Sequence, residues 1–157
     1  MGNSKDTKNN KETIKSLNQL LQGEYMALES FNTFIAKTEN QEIKKAFQQI
    51  QENHRDNIKT LANYIQNIGG QPEENLGLKG KMADMKMNIG FGTNPDPKDL
   101  IEKAIEGETM GINKAEEILR GELDDKSRDI AGEVLHRDRR TLDLLKNLEK
   151  NIFAAKE

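Results

Sequence analysis

Two stretches of this chain carry the same pattern. The first runs from Gly23-Glu24 to Gln51-Glu52-Asn53-His54-Arg55-Asp56, and the second from Gly107-Glu108 to Glu133-Val134-Leu135-His136-Arg137-Asp138. The chain has two histidines, and both fall at the same point of the repeat. Each follows an acid or its amide by three residues, so on a helix the paired side chains leave one face about 60° apart. Two helices with an inward glutamate and two with an i, i+3 pair ending in histidine restrict the fold sharply. They fit a four-helix arrangement whose interior holds polar donors from every helix.

The apolar spacing supports four long helices. From about Lys11 to Lys37, residues Ile14, Leu17, Leu21, Leu28, Phe31 and Ile35 follow alternating steps of three and four, and Glu24 fills the gap in the series. From about Gln41 to Ile68, residues Ile43, Phe47, Ile50, Leu61, Ile65 and Ile68 share a face with Gln51 and His54. Gly69-Gly70 and then Pro72 stop that helix. The third opens at Asp96-Pro97, a capping residue followed by a first-turn proline, and continues to about Leu119. Leu100, Ile101, Ala104, Ile105, Ile112, Ala115 and Leu119 face inward, with Glu108 between Ile105 and Ile112. The fourth runs from near Asp125 to about Ala154. Ile130, Leu144, Leu145, Leu148 and Ile152 mark its inner face, which Glu133 and His136 extend toward the N-terminus.

The links set the topology. Thr38-Glu39-Asn40 and the turn after Gly121 read as tight hairpins, whereas the stretch from Gln71 to Asn94 can run the length of a bundle. Within it Lys79–Asn88, with Met82, Met85 and Met87, reads as a short helix filling irregular space under the crossover. The expected fold is all-α: an antiparallel four-helix bundle over residues 11–155, with one long crossover between helices 2 and 3. Residues 1–10, rich in Lys, Asn and Ser, are expected to form a mobile polar tail.

Composition removes several functions. Apolar residues make up 34% and charged residues 32%, which suits narrow apolar stripes and wide solvated faces rather than strands. A net charge of −3 gives no basic excess for nucleic acid or an acidic membrane surface, so neither is expected as a partner. The absence of cysteine excludes disulfides, zinc ribbons and thiolate-bound redox centres. No apolar run is long enough to cross a bilayer. The polar start lacks a secretory apolar stretch, and Asp6 breaks the myristoylation pattern that Gly2 would begin. A cytoplasmic location is therefore expected.

Glu24 and Glu108 are the most informative positions. A carboxylate on the apolar seam of a bundle is unfavourable unless it is paired or bound to metal. With His54, Glu133 and His136 expected on the inner faces of their helices, potential ligands converge on one layer of the core. Carboxylate oxygens and imidazole nitrogens suit iron or manganese. The bland alternative is that each histidine is hydrogen-bonded in the core without metal.

These segments resemble the ferritin-like superfamily, the rubrerythrin and bacterioferritin type of di-iron carboxylate protein. The resemblance rests on Leu17-Asn18-Gln19-Leu20-Leu21-Gln22-Gly23-Glu24, Gln51-x-x-His54, Glu106-Gly107-Glu108 and Glu133-x-x-His136, in helix order from about Glu12 to Lys150. Bacterial ferritin-like domains of the same outline also share the Gly-Gly-x-Pro seen here at Gly69–Pro72. The resemblance implies a dinuclear iron centre, or manganese, with Glu24 and Glu108 as single-glutamate ligands. Glu133 would bridge, and His54 and His136 would each hold one metal. It further implies oxidation of Fe(II) by dioxygen or peroxide, in iron handling or oxidative-stress defence. The departure is Gln51, which stands where the pattern has a bridging glutamate; a neutral amide binds metal poorly. Gln51 favours the alternative of a non-catalytic bundle with a degenerate site, acting as a structural or partner-binding protein. Haem is not expected, because Glu52 stands where bacterioferritins place a haem-ligating methionine. A homodimer is expected rather than a large shell, since the chain ends soon after the fourth helix.

Overall fold

The computed structural model describes residues 4–73 and 95–155. Four helices make up the fold: α1 (Ser4–Lys37), α2 (Gln41–Asn67), α3 (Pro97–Leu119) and α4 (Asp125–Ala155). Among the described residues there is no strand. No helix there is long and apolar enough to cross a membrane. Helix α1 begins at Ser4 rather than near Lys11, so the expected polar tail is helical over much of its length. No glycine or proline interrupts the chain between Ser4 and Gly23, so nothing stops the helix propagating toward its N-terminus. The expected methionine-bearing helix Lys79–Asn88 lies outside the described residues.

Local chemistry sets the helix ends. Asn40 caps α2 by accepting from the Ile43 N–H at 3.1 Å, and Asp96 caps α3 by accepting from Lys98 N–H at 2.9 Å, ahead of Pro97. At the other end of α2, Gly69 adopts φ 88°, and Gly70 N–H donates to Ile65 O at 2.8 Å. That reversal satisfies carbonyls the helix would leave open. A Cβ on Gly70 would stand 2.9 Å from Ile65 Cγ2 and 3.0 Å from Ile14, so the turn packs directly on α1. Asn18 then pins the departing chain, donating to Gln71 O at 3.1 Å and accepting from Glu73 N–H at 2.8 Å. Arg128, in the first turn of α4, donates to the carbonyls of Leu119, Gly121 and Leu123, which ties the α3–α4 turn together.

Two apolar clusters fill the interior. One gathers Leu17, Leu20, Leu21, Leu61, Ile65, Ile112, Ala115, Val134 and Leu135. The other gathers Phe31, Phe34, Ile43, Phe47, Ile50, Leu100, Ile101, Leu145 and Leu148, with Phe31 edge-on to both Phe34 and Phe47 at 5.3 Å. The first holds the N-terminal halves of α1 and α4 and the C-terminal halves of α2 and α3; the second holds the opposite halves. Hence α2 and α3 run parallel, the relative direction expected of a bundle with a long link between these two helices.

The αL turn at Gly69 is directly testable. Gly69→Ala should lower unfolding stability by about 1–2 kcal/mol, because an L side chain is strained at this φ; thermal or urea unfolding reads it.

Candidate metal centre

Between the two clusters lies a polar layer with one residue from each helix. Glu24 (α1), His54 (α2), Glu108 (α3) and Asp138 (α4) are 5%, 2%, 5% and 6% exposed. His54 Nδ1 lies 2.5 Å from Glu24 Oε2, and Nε2 lies 2.5 Å from Glu108 Oε1. Asp138 Oδ1 is 3.8 Å from the same Nδ1. The Phe31 ring sits 5.9 Å from the imidazole and walls the layer on one side. Asp138 is held from α2, through an asparagine that Arg137 of α4 holds in turn. Asn57 Nδ2 donates to Asp138 Oδ1 at 3.0 Å, and Arg137 donates to Asn57 Oδ1 at 3.3 Å and to Glu133 Oε1 at 2.6 Å.

Burial and mutual charge decide the protonation states. For His54, burial opposes the charged ring, but Glu24 and Glu108 outweigh it and raise its pKa well above 6.5. Burial likewise pushes Glu24 up, yet the His54 charge and hydrogen bonds from His54, Asp138 and Asn57 bring it below the ordinary carboxylate value. Burial raises Glu108, with His54 only partly offsetting it. Asp138 is pushed up to about 10, first by burial and then by the negative charge of Glu24. Without metal, the layer is thus an imidazolium paired with Glu24, beside a protonated Asp138 that donates to the same carboxylate.

The structure brings together Glu24, His54 and Glu108 as the sequence predicts. It corrects the orientation expected of Glu133 and His136: both are exposed, and Glu133 pairs with Arg137 at the surface. The physical reason is the register of α4. Its buried stripe is Ser127, Ala131, Val134, Asp138, Thr141, Leu145 and Leu148, and a helix turns about 100° per residue, so Glu133 beside Val134 points away. Gln51 is buried next to the layer, but its Nε2 donates to Leu28 O at 3.0 Å and Asn32 Oδ1 at 2.7 Å. Asp138, which is not in the ligand set expected from the sequence, is inside. Its signal was the unbroken three–four stepping from Ala131 through Val134 and Thr141 to Leu148.

The donor set has the makings of a metal site. Glu24, His54 and Asp138 each offer a ligand atom within 4.8 Å of the others, and all three are buried. Two carboxylate oxygens and one imidazole nitrogen suit a hard or borderline divalent cation. Glu108 on the far ring nitrogen would fix the tautomer that leaves Nδ1 free to bind, the usual role of a carboxylate behind a ligating histidine. The donors expected for a second ion, Glu133 and His136, are not in this layer.

The fold defines a ferritin-like four-helix bundle. It is similar to a two-domain Anabaena variabilis protein containing DJ-1/ThiJ/PfpI-like and ferritin-like domains (TM-score 0.74, 20% identity, 93% of this chain). This chain spans 38% of that protein. It is similar also to the dodecameric thioferritin, a bacterioferritin-related protein, of Bacteroides fragilis (TM-score 0.74, 19% identity, 94% of this chain and 89% of that one). A ferritin-like diiron-carboxylate protein from Bacillus anthracis matches with TM-score 0.68 at 20% identity, covering 90% of this chain and 97% of that one. Residues 12–121 match the family described as Domain of unknown function (DUF2383), and the chain belongs to that family. The match spans α1 to α3 and stops before α4 and Asp138. Among curated proteins none matches.

The protonation states carry a signed prediction. His54 and Asp138 both have raised folded pKa values, so they favour folding most at low pH and that contribution is lost as pH rises. For His54 the loss begins at its ordinary 6.5; for Asp138 it spans 3.8 to about 10. Asp138→Asn mimics the protonated acid and should raise the melting temperature of metal-free protein. The gain should widen as pH increases toward 10 and vanish below about pH 4, read by thermal unfolding across pH. His54→Ala leaves buried carboxylates unpaired and should destabilise by about 3–5 kcal/mol near neutral pH.

Proposed function

We propose that this ferritin-like bundle is a metal-binding protein of iron handling, taking Fe(II), or Mn(II) in its place, into the layer between the two apolar clusters. The observation that carries the reading is the convergence of Glu24, His54 Nδ1 and Asp138 from three helices within 4.8 Å. Glu108 would orient the ring, and Asn57 with Arg137 would orient Asp138. A redox-active cation there would supply electron transfer, which these side chains do not perform. The apolar clusters on either side keep bulk water from the layer. Oxidation of Fe(II) by dioxygen or peroxide belongs to the same proposal, with iron as the substrate. Self-association is part of it too, as a homodimer, with the dodecameric Bacteroides fragilis protein as the supporting parallel.

A second reading has one observation in its favour. The Gln51 amide is committed to Leu28 and Asn32 rather than to the layer. A bundle that binds no metal and serves as a structural or partner-binding protein would keep those bonds unchanged.

Metal addition separates the two. At a free ion concentration about a hundredfold above Kd, Fe(II) or Mn(II) should stabilise the fold by about 2.7 kcal/mol. That is roughly 5–10 °C in melting temperature for a chain of this size. The gain should grow between about pH 6 and pH 9, because the ion displaces protons from His54 and Asp138, and Glu24→Gln should remove it. An unchanged melting temperature under anaerobic Fe(II) and under Mn(II) would retire the metal reading. Oxygen added to the Fe(II) form should then give a fast rise in near-ultraviolet absorbance, and a bound ion that stays ferrous would retire the oxidation step.

A further inference from the structure

We propose that the layer takes a single divalent cation, held by Glu24, His54 Nδ1 and Asp138, and that Gln51 and Thr141 close the position a second ion would need. This rests on the reading that the layer binds metal. Gln51 lies one helical turn before His54 on α2, and Thr141 one turn after Asp138 on the antiparallel α4. Both therefore sit on the same side of the layer, toward the phenylalanine cluster. They are 5% and 1% exposed. The Gln51 amide donates to Leu28 O and Asn32 Oδ1, and the Thr141 hydroxyl accepts from Asn53 Nδ2 at 3.4 Å. The level adjoining the ion is thus filled by neutral groups with their own partners.

The opposite side is no more open. One turn after His54, Asn57 is fully buried, and its amide and carbonyl are engaged by Asp138 and Arg137. Beyond it begins the leucine-rich cluster.

The donor count gives the same answer. Among the described residues, the buried acids at the layer are Glu24, Glu108 and Asp138. Glu108 lies across the imidazole from Glu24 and Asp138, on Nε2, so it holds the ring rather than bridging. The two i, i+3 pairs of the bundle are therefore Gln51-x-x-His54 and Asp138-x-x-Thr141: one acid and one imidazole in total, where a dinuclear centre of this geometry needs two of each.

The test uses the whole metal-free chain loaded with Mn(II), with bound metal counted by elemental analysis after dialysis and its magnetic state read by electron paramagnetic resonance. The expected result is close to one Mn(II) per chain with the spectrum of an isolated ion, lost in Glu24→Gln and in Asp138→Asn. Two ions with a coupled spectrum would overturn the single-ion inference while leaving the metal reading standing. No bound ion would overturn both, and one ion that survives both substitutions sits elsewhere and overturns the assignment. Combining Gln51→Glu with Thr141→His should raise the count toward two. A folded double variant that stays at one ion would show that these residues are not what closes the second position.

Discussion

One imidazole holds this bundle together at its centre. His54 is gripped at both ring nitrogens by carboxylates from two other helices, and a fourth helix brings Asp138 to the same edge. Remove the ring and two glutamates lie buried with no counter-charge, a situation a protein core does not tolerate without rearrangement. The apolar clusters above and below serve this layer. They fix the relative height of the four helices, so that residues far apart in sequence meet at one level.

The same arrangement is a compromise between stability and chemistry. Asp138 is buried beside Glu24, and the two can coexist only while Asp138 keeps its proton. An asparagine would hold the same hydrogen bonds with less strain on the fold. A carboxylate there makes sense for a cation, which replaces a proton with charge and turns mutual repulsion into shared coordination. Asn57, Arg137 and Glu133 extend the support outward, so the surface pair Arg137–Glu133 reaches the interior through one amide.

Much of this was legible in the sequence, and the failures are local. Glu24 and Glu108 each stood in a gap of a clear three–four series, flanked by large apolar residues on both sides, so their inward orientation was fixed by spacing alone. His54 shared a stripe with Phe47, Ile50 and Leu61 and was equally well determined. Helix α4 was different. Its N-terminal half offers Ile130, Ala131, Val134 and Leu135, which permit two stripes one residue apart, and the acid–His pair at Glu133 and His136 tipped the reading to the wrong one. The stripe through Ala131, Val134, Asp138, Thr141, Leu145 and Leu148 has smaller and more polar members, so it carries a weaker signal although its stepping is unbroken. The repeat itself misled: Asp56 and Asp138 occupy the same place in it, yet Asp56 is exposed and Asp138 buried. The early start of α1 left no signal either, because polar residues permit a helix without demanding one.

Crystals grown with Mn(II) and measured for anomalous scattering would put the central claim to its most direct test. The account predicts a strong peak inside the bundle, in bonding contact with Glu24, His54 Nδ1 and Asp138, with Glu108 still on the far ring nitrogen. A peak confined to exposed Glu133 and His136, or an imidazole still clamped between its two glutamates with no ion beside Asp138, would contradict it.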